Sequence, residues 1–114
     1  MTPQMQAAYL KSNQTRKLGT IATSANRIAL VLAGQNTKEN AVKLVTETML
    51  FIEWIGADLG AHHAQELARV QRTLGTWRKN WDEIWTDSHK NSAAQQEARV
   101  MSEQILAMAG LNNG

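Results

Sequence analysis

LARVQRTLGTWRKNWDEIW, residues 67–85, decides the fold. Within it Leu67, Val70, Leu74, Trp77, Trp81 and Ile84 recur at steps of three and four, the spacing that lines one face of an α-helix. Arg69, Arg72 and Lys79 fall on the far side, where a helix meets solvent. The pattern predicts a helix over 61–86.

Upstream, Leu18, Ile21, Ala22, Ala25, Ile28, Ala29 and Leu32 form a second stripe and predict a helix over 16–33. Gly34 then fits the left-handed position that closes a helix. Thr37 is placed to cap the next one, with Glu39 in its positive first turn. That helix, 38–59, is apolar on most sides: Ala41, Val42, Leu44, Val45, Met49, Leu50, Phe51, Ile52, Trp54, Ile55 and Leu59. A helix with so little polar face needs neighbours on several sides or a subunit interface. Gly56 and Gly60 bracket its end.

Downstream, residues 86–91 are polar and turn-like, and Ser92-Ala93-Ala94-Gln95 has the spacing of a capping box. It opens a last helix over 92–109, with Ala94, Ala98, Met101, Ile105 and Met108 facing inward, Gly110 closing it, and a frayed tail at 111–114. At the other end Thr2-Pro3 suits a helix start. The residues after it, Met5, Ala8, Tyr9 and Leu10, are out of phase with the 18–32 stripe, whose backward extension would bury Gln4, Lys11 and Gln14. They predict a short helical N-terminal arm. No stretch alternates at period two with β-branched residues and hairpin turns. The expectation is an all-α protein: an antiparallel bundle of four main helices plus the arm, in a single domain over 1–114.

Composition bounds the chemistry. A chain of 114 residues can bury roughly two-thirds of its unfolded surface, so neither metal nor disulfide is needed to fold it. Cysteine is absent, which excludes disulfides, thiolate metal sites and thiol catalysis. The net charge of +2 is too mild to demand a polyanionic partner. Residues 1–14 lack a basic-then-apolar leader pattern, and the most apolar run, 41–59, is interrupted by Lys43, Glu47, Glu53 and Asp58, so no membrane span is expected. A cytoplasmic protein, or one acting in a virion or host cell, fits these bounds.

Four constellations bear on function. Trp77, Trp81 and Trp85 lie at i, i+4 and i+8, drifting off the seam towards its edge. Core packing explains Trp77 and Trp81, whereas Trp85, beside Thr86 and Asp87, suits an exposed anchor. With Trp54 they make the candidate partner-binding set, because tryptophan buries a large rigid area and keeps one N–H donor. Asp58, His62 and Glu66, with His63 adjacent, would line one face of an unbroken helix and are weak metal candidates; Gly60 threatens that continuity, and the paired Glu-x-x-His motifs of bundle metal sites are missing. Asp82, Glu83 and Asp87 read as a solvated acidic face, with Arg78 or Lys79 one turn away as partners. Lys11, Arg16, Lys17, Arg69, Arg72 and Lys79 could meet phosphates if both clusters faced one way, yet acids interleave with them and no helix-turn-helix spacing is evident.

No phosphate-cradling glycine loop and no nucleophile motif is found. The sequence therefore points to a non-enzymatic helical interaction protein, an adaptor, inhibitor or structural or regulatory component. It is expected to bind no cofactor, to self-associate, a homo-dimer first, and to present a Trp-rich helix face to a protein partner. Nucleic-acid binding through the basic residues is the alternative, and a metal-dependent enzyme built on Asp58, His62 and Glu66 the third.

Overall fold

A computed structural model describes residues 2–11, 13–35, 37–56 and 59–110. Six helices follow one another: α1 Pro3–Lys11, α2 Gln14–Leu30, α3 Lys38–Ile55, α4 Ala61–Lys79, α5 Trp81–Thr86 and α6 Ser88–Met108. The described residues contain no strand. The four long helices are the expected all-α bundle. Helices α2 and α3 fold back on one another at its centre; α6 lies along α2, α4 lies along α3, and α5 packs on α6. The α1 arm rests on α3.

The predicted stripes are the core. Leu18, Ile21, Ala22, Ala25, Ile28, Ala29 and Leu32 from the α2 side meet Ala41, Val45, Phe51, Ile52 and Ile55 of α3 and Ala94, Ala98, Met101 and Ile105 of α6. All six residues of the 67–84 seam are buried as well. Helix α3 has α1, α2 and α4 around it, which accounts within one chain for much of its broad apolar surface.

Helix ends follow local chemistry. The Asn13 side chain accepts from the Arg16 N–H and starts α2 two residues ahead of the predicted boundary. Gly34 sits at φ 105° and ψ 16° in the wide turn after α2, the left-handed position its sequence context called for. Thr37 caps α3 by accepting from Asn40 N–H, and Gly110 closes α6 at φ 71°. Helix α3 ends at Ile55 rather than at 59, and Gly60 caps α4, so no helix runs through Gly60.

Helix α2 ends at Leu30 rather than at 33, and two further boundaries differ from expectation. The predicted helix 61–86 is broken at Asn80, whose φ of −109° and ψ of 27° divide α4 from α5. Apolar spacing passes through the break unaltered because α5 keeps Trp81 and Ile84 turned inward. The last helix begins at Ser88, not at Ser92. Asp87 is the stronger cap: its carboxylate accepts from the His89 N–H at 2.9 Å and the Lys90 N–H at 3.0 Å, which leaves Ser92 inside α6.

The hydrogen bond from the Lys90 N–H, helped by that from His89, holds the Asp87 carboxyl below its ordinary value against the opposing effect of desolvation. A lowered folded value means that the cap stabilises fully above the unfolded carboxylate range and is lost as pH falls through the folded value. Asp87→Ala should therefore lower the melting temperature at neutral pH, Asp87→Asn should retain most of the cap, and the difference between wild type and Asp87→Ala should shrink in acid below about pH 4. Thermal melts across that range check the sign.

The central helices are pinned by buried hydroxyls. Thr48 donates to the Leu44 carbonyl at 2.8 Å, so the 2.5 Å contact between Ser24 and Thr48 is made by Ser24 donating. Ser102 donates to the Ala22 carbonyl at 2.8 Å and ties α6 to α2. Thr48→Val keeps the shape and strands the Ser24 hydroxyl, at an expected cost of about 1–2 kcal/mol. In a double-mutant cycle, Ser24→Ala should be less costly in the Thr48→Val background than alone.

Candidate functional site

The tryptophans divide by burial. Trp77 and Trp81 are 6% and 5% exposed and have little surface to offer, while Trp85 and Trp54 are half-buried against the core. The Trp81 indole N–H donates to the Lys38 carbonyl at 3.1 Å, and Trp85 lies beside Trp81 with ring centroids 6.1 Å apart. Trp54 meets Phe51 and Tyr9 edge-on at 6.0 Å each.

The acidic residues find other partners than Arg78 and Lys79. Asp82 pairs with Lys38 and Glu83 with Lys90, at 2.8 Å and 2.7 Å, and these hydrogen-bonded carboxylates hold both ammonium groups above the ordinary lysine value. With Asp87 capping α6, all three carboxylates are engaged in holding α5 and its junction.

The metal candidates do not assemble. Asp58 lies outside the described residues, His62 is exposed, His63 is half-buried with its ring 5.8 Å from that of His62, and Glu66 is paired with Arg69. No group of three or more metal-ligating side chains occurs among the described residues.

The basic candidates are dispersed. Lys17 is 5% exposed, with its ammonium 5.9 Å from the centre of the Tyr9 ring. Lys11 ends α1, and its side chain lies outside the described residues. Arg16 lines a groove on the α2–α3 side, Arg69 a groove between α4 and α6, and Lys79 a hollow at the α4–α5 break, while Arg72 is exposed on α4.

A site that apolar periodicity did not mark lies on the outer side of α2 and α3. Arg16, Thr20, Thr23, Arg27 and Leu30 follow one another at steps of four, three, four and three on the face of α2 opposite its core stripe. Beside them on α3 run Asn40, Lys43, Leu44, Glu47 and Phe51. Along the two rows are adjoining depressions of ≈ 470 Å³ and ≈ 490 Å³ that share Arg27 and Glu47 and open to solvent, the second also reaching Leu106 of α6.

The lining includes four small residues, Gly19, Thr20, Thr23 and Ser24, of which Ser24 is buried and Thr23 exposed. Met5, projecting from α1, closes one end, and Leu30 with Val31 closes the other. Met5 and Leu30 are two of the three large apolar side chains exposed among the described residues. Arg16, Arg27, Lys43 and Glu47 take part in none of the ion pairs formed among the described residues, which join Lys38 to Asp82, Arg69 to Glu66 and Lys90 to Glu83.

No protein-family model matches the chain, and no curated protein and no solved structure matches it. No helix among the described residues is long and apolar enough to cross a membrane. The signal that could have exposed the groove was in the sequence: the outward residues of α2 keep near-heptad spacing while alternating charge, threonine and leucine, a pattern a search for apolar periodicity passes over.

Proposed function

We propose that this protein is a helical interaction module that takes an element of a protein partner into the groove between α2 and α3. The carrying observation is the groove's lining: two exposed large apolar side chains, small residues between them, and charged side chains that no ion pair among the described residues uses. Shallow, open depressions of this kind do not enclose a small molecule, which is ordinarily buried over most of its surface. They do suit a packed helix, whose side chains fill hollows along a line.

In this reading the tryptophan end has a structural task, locking α5 to α3, and Trp85 is the part of it left for contact. Self-association had its motive in the broad apolar surface of α3, and that surface has neighbours within the chain. Two copies meeting groove to groove would also set Arg16, Arg27 and Lys43 of one against those of the other, with only Glu47 to offset them.

Site-specific photo-crosslinking in the native host tests the reading. A photoreactive residue at Thr23 or Leu30 should give one discrete adduct with another protein, and the same residue at Gln96, exposed on α6, should not. Adducts of equal yield at all three positions, or none at Thr23 and Leu30, would remove the groove as the docking surface. An adduct of twice the chain mass at Leu30 would replace the partner with a second copy.

A further inference from the structure

The occupant of the groove has a chemistry. Resting on the docking reading above, we infer that it is an amphipathic α-helix with an apolar edge and acidic residues flanking that edge. Three features point this way.

The first is length and pitch. From Arg16 to Leu30 the outer stripe of α2 spans fifteen residues, about 21 Å of helix axis, so a partner of about four turns lies along it from end to end. Near-heptad spacing on α2, with the Asn40–Lys43–Leu44–Glu47–Phe51 row alongside on α3, offers holes at the interval at which a third helix presents its knobs.

The second is the division of polarity. Met5 and Phe51 sit at one end, Leu30, Val31 and Leu44 at the other, and the threonines and Gly19 between. Apolar side chains of a partner at i, i+3/i+4 and i+7 would cover them. A phosphate backbone has nothing to place against leucine and methionine, which separates this groove from a nucleic-acid site.

The third is charge. Arg16, Arg27 and Lys43 stand along the groove against the single carboxylate of Glu47, and none of the four is committed to an ion pair among the described residues. Complementarity then assigns Asp and Glu to the partner's flanks, and the uneven sign disfavours both a basic helix and a second copy of this groove. Because the pairs would be exposed, each adds little, and together they amount to about tenfold in affinity, set mainly against the wrong partner and reduced by salt.

The test uses three synthetic peptides that share one leucine pattern: one flanked by glutamate, one by lysine, and one with the glutamate composition scrambled out of helical phase. Titrated into the full chain and followed by amide chemical shifts, the glutamate peptide should move Thr20, Thr23, Arg27, Leu30 and Lys43. It should bind about tenfold tighter than the lysine peptide and weaken as salt is raised. In the doubly reversed variant Arg27→Glu with Lys43→Glu, both exposed and away from the core, the preference should invert.

Equal binding of the glutamate and lysine peptides, binding of the scrambled peptide as tight as the phased one, or a single-stranded oligonucleotide moving the same amides more tightly than any peptide would overturn the inference. Binding by none of the three peptides would overturn it too. These failures stay distinct from failure of the docking reading, since crosslinks at Leu30 in the host survive a wrong guess at the partner's charge.

Discussion

Replacing Trp81 by alanine is expected to destabilise the fold by about 3–5 kcal/mol, a large share of the roughly 5–15 kcal/mol that holds a domain together. Trp81 is 5% exposed and opens α5, so its ring fills the space where α4 ends and the chain turns towards α6. Its indole N–H reaches 43 positions back to the Lys38 carbonyl at the start of α3. Truncation leaves a cavity the size of an indole and frees one end of α5.

The two contributions can be separated. Lys38 is the first residue of α3, so its carbonyl keeps an intrahelical hydrogen bond when the indole is removed. Trp81→Phe should therefore cost about 1–2 kcal/mol, mostly lost volume and one N–H bond. Trp77→Ala, equally buried on α4, should resemble Trp81→Ala in cavity cost. Urea midpoints at constant m-value read all three. A Trp81→Ala protein as stable as wild type would mean that the α5 junction contributes nothing to the fold, and would leave Trp81 available for a partner after all.

What could be read from the sequence was whatever a single helix states about itself. The stripes at 18–32 and 67–84 became core because one-dimensional spacing maps directly onto a helix face, and Gly34 and Thr37 served as written because turn and cap chemistry is local. Asn80 was hidden because the break preserves the phase of the apolar residues on either side, and periodicity detects only a change of phase. Asp87 was overlooked as a cap because three neighbouring acids look like a solvated face until the backbone shows which of them meets free N–H groups. Pairs such as Lys38 with Asp82 and Ser24 with Thr48 are 44 and 24 residues apart, and only the tertiary fold brings them together. The groove was the hardest to see. Its residues belong to the polar faces of two helices, and the near-heptad spacing on α2 becomes a groove only where α2 and α3 stand side by side.

Tyr9→Ala is expected to cost about 3 kcal/mol and to release α1 while the rest of the bundle stays folded. Tyr9 is the one α1 residue buried among those whose side chains are described, and it lies 5% exposed on α3. Its ring stacks on Phe51 with centroids 4.7 Å apart, meets Trp54 edge-on at 6.0 Å, and its hydroxyl donates to the Phe51 carbonyl at 2.7 Å. Pro3, Gln4, Met5 and Ala7 are exposed. A nine-residue helix is marginal by itself, so once its aromatic anchor is gone, packing no longer offsets the entropy of ordering it. Amide exchange should show α1 losing protection outright, with α2, α3 and α6 slowed less than wild type but still protected; Tyr9→Phe, which keeps the stack, should lose about 1 kcal/mol and leave α1 docked. Because Met5 reaches the groove from α1, the same variant should weaken the glutamate peptide while Leu30 and Lys43 still respond to it. Protection of α1 unchanged in Tyr9→Ala would show that the arm is held by something other than its tyrosine, and the end of the groove with it.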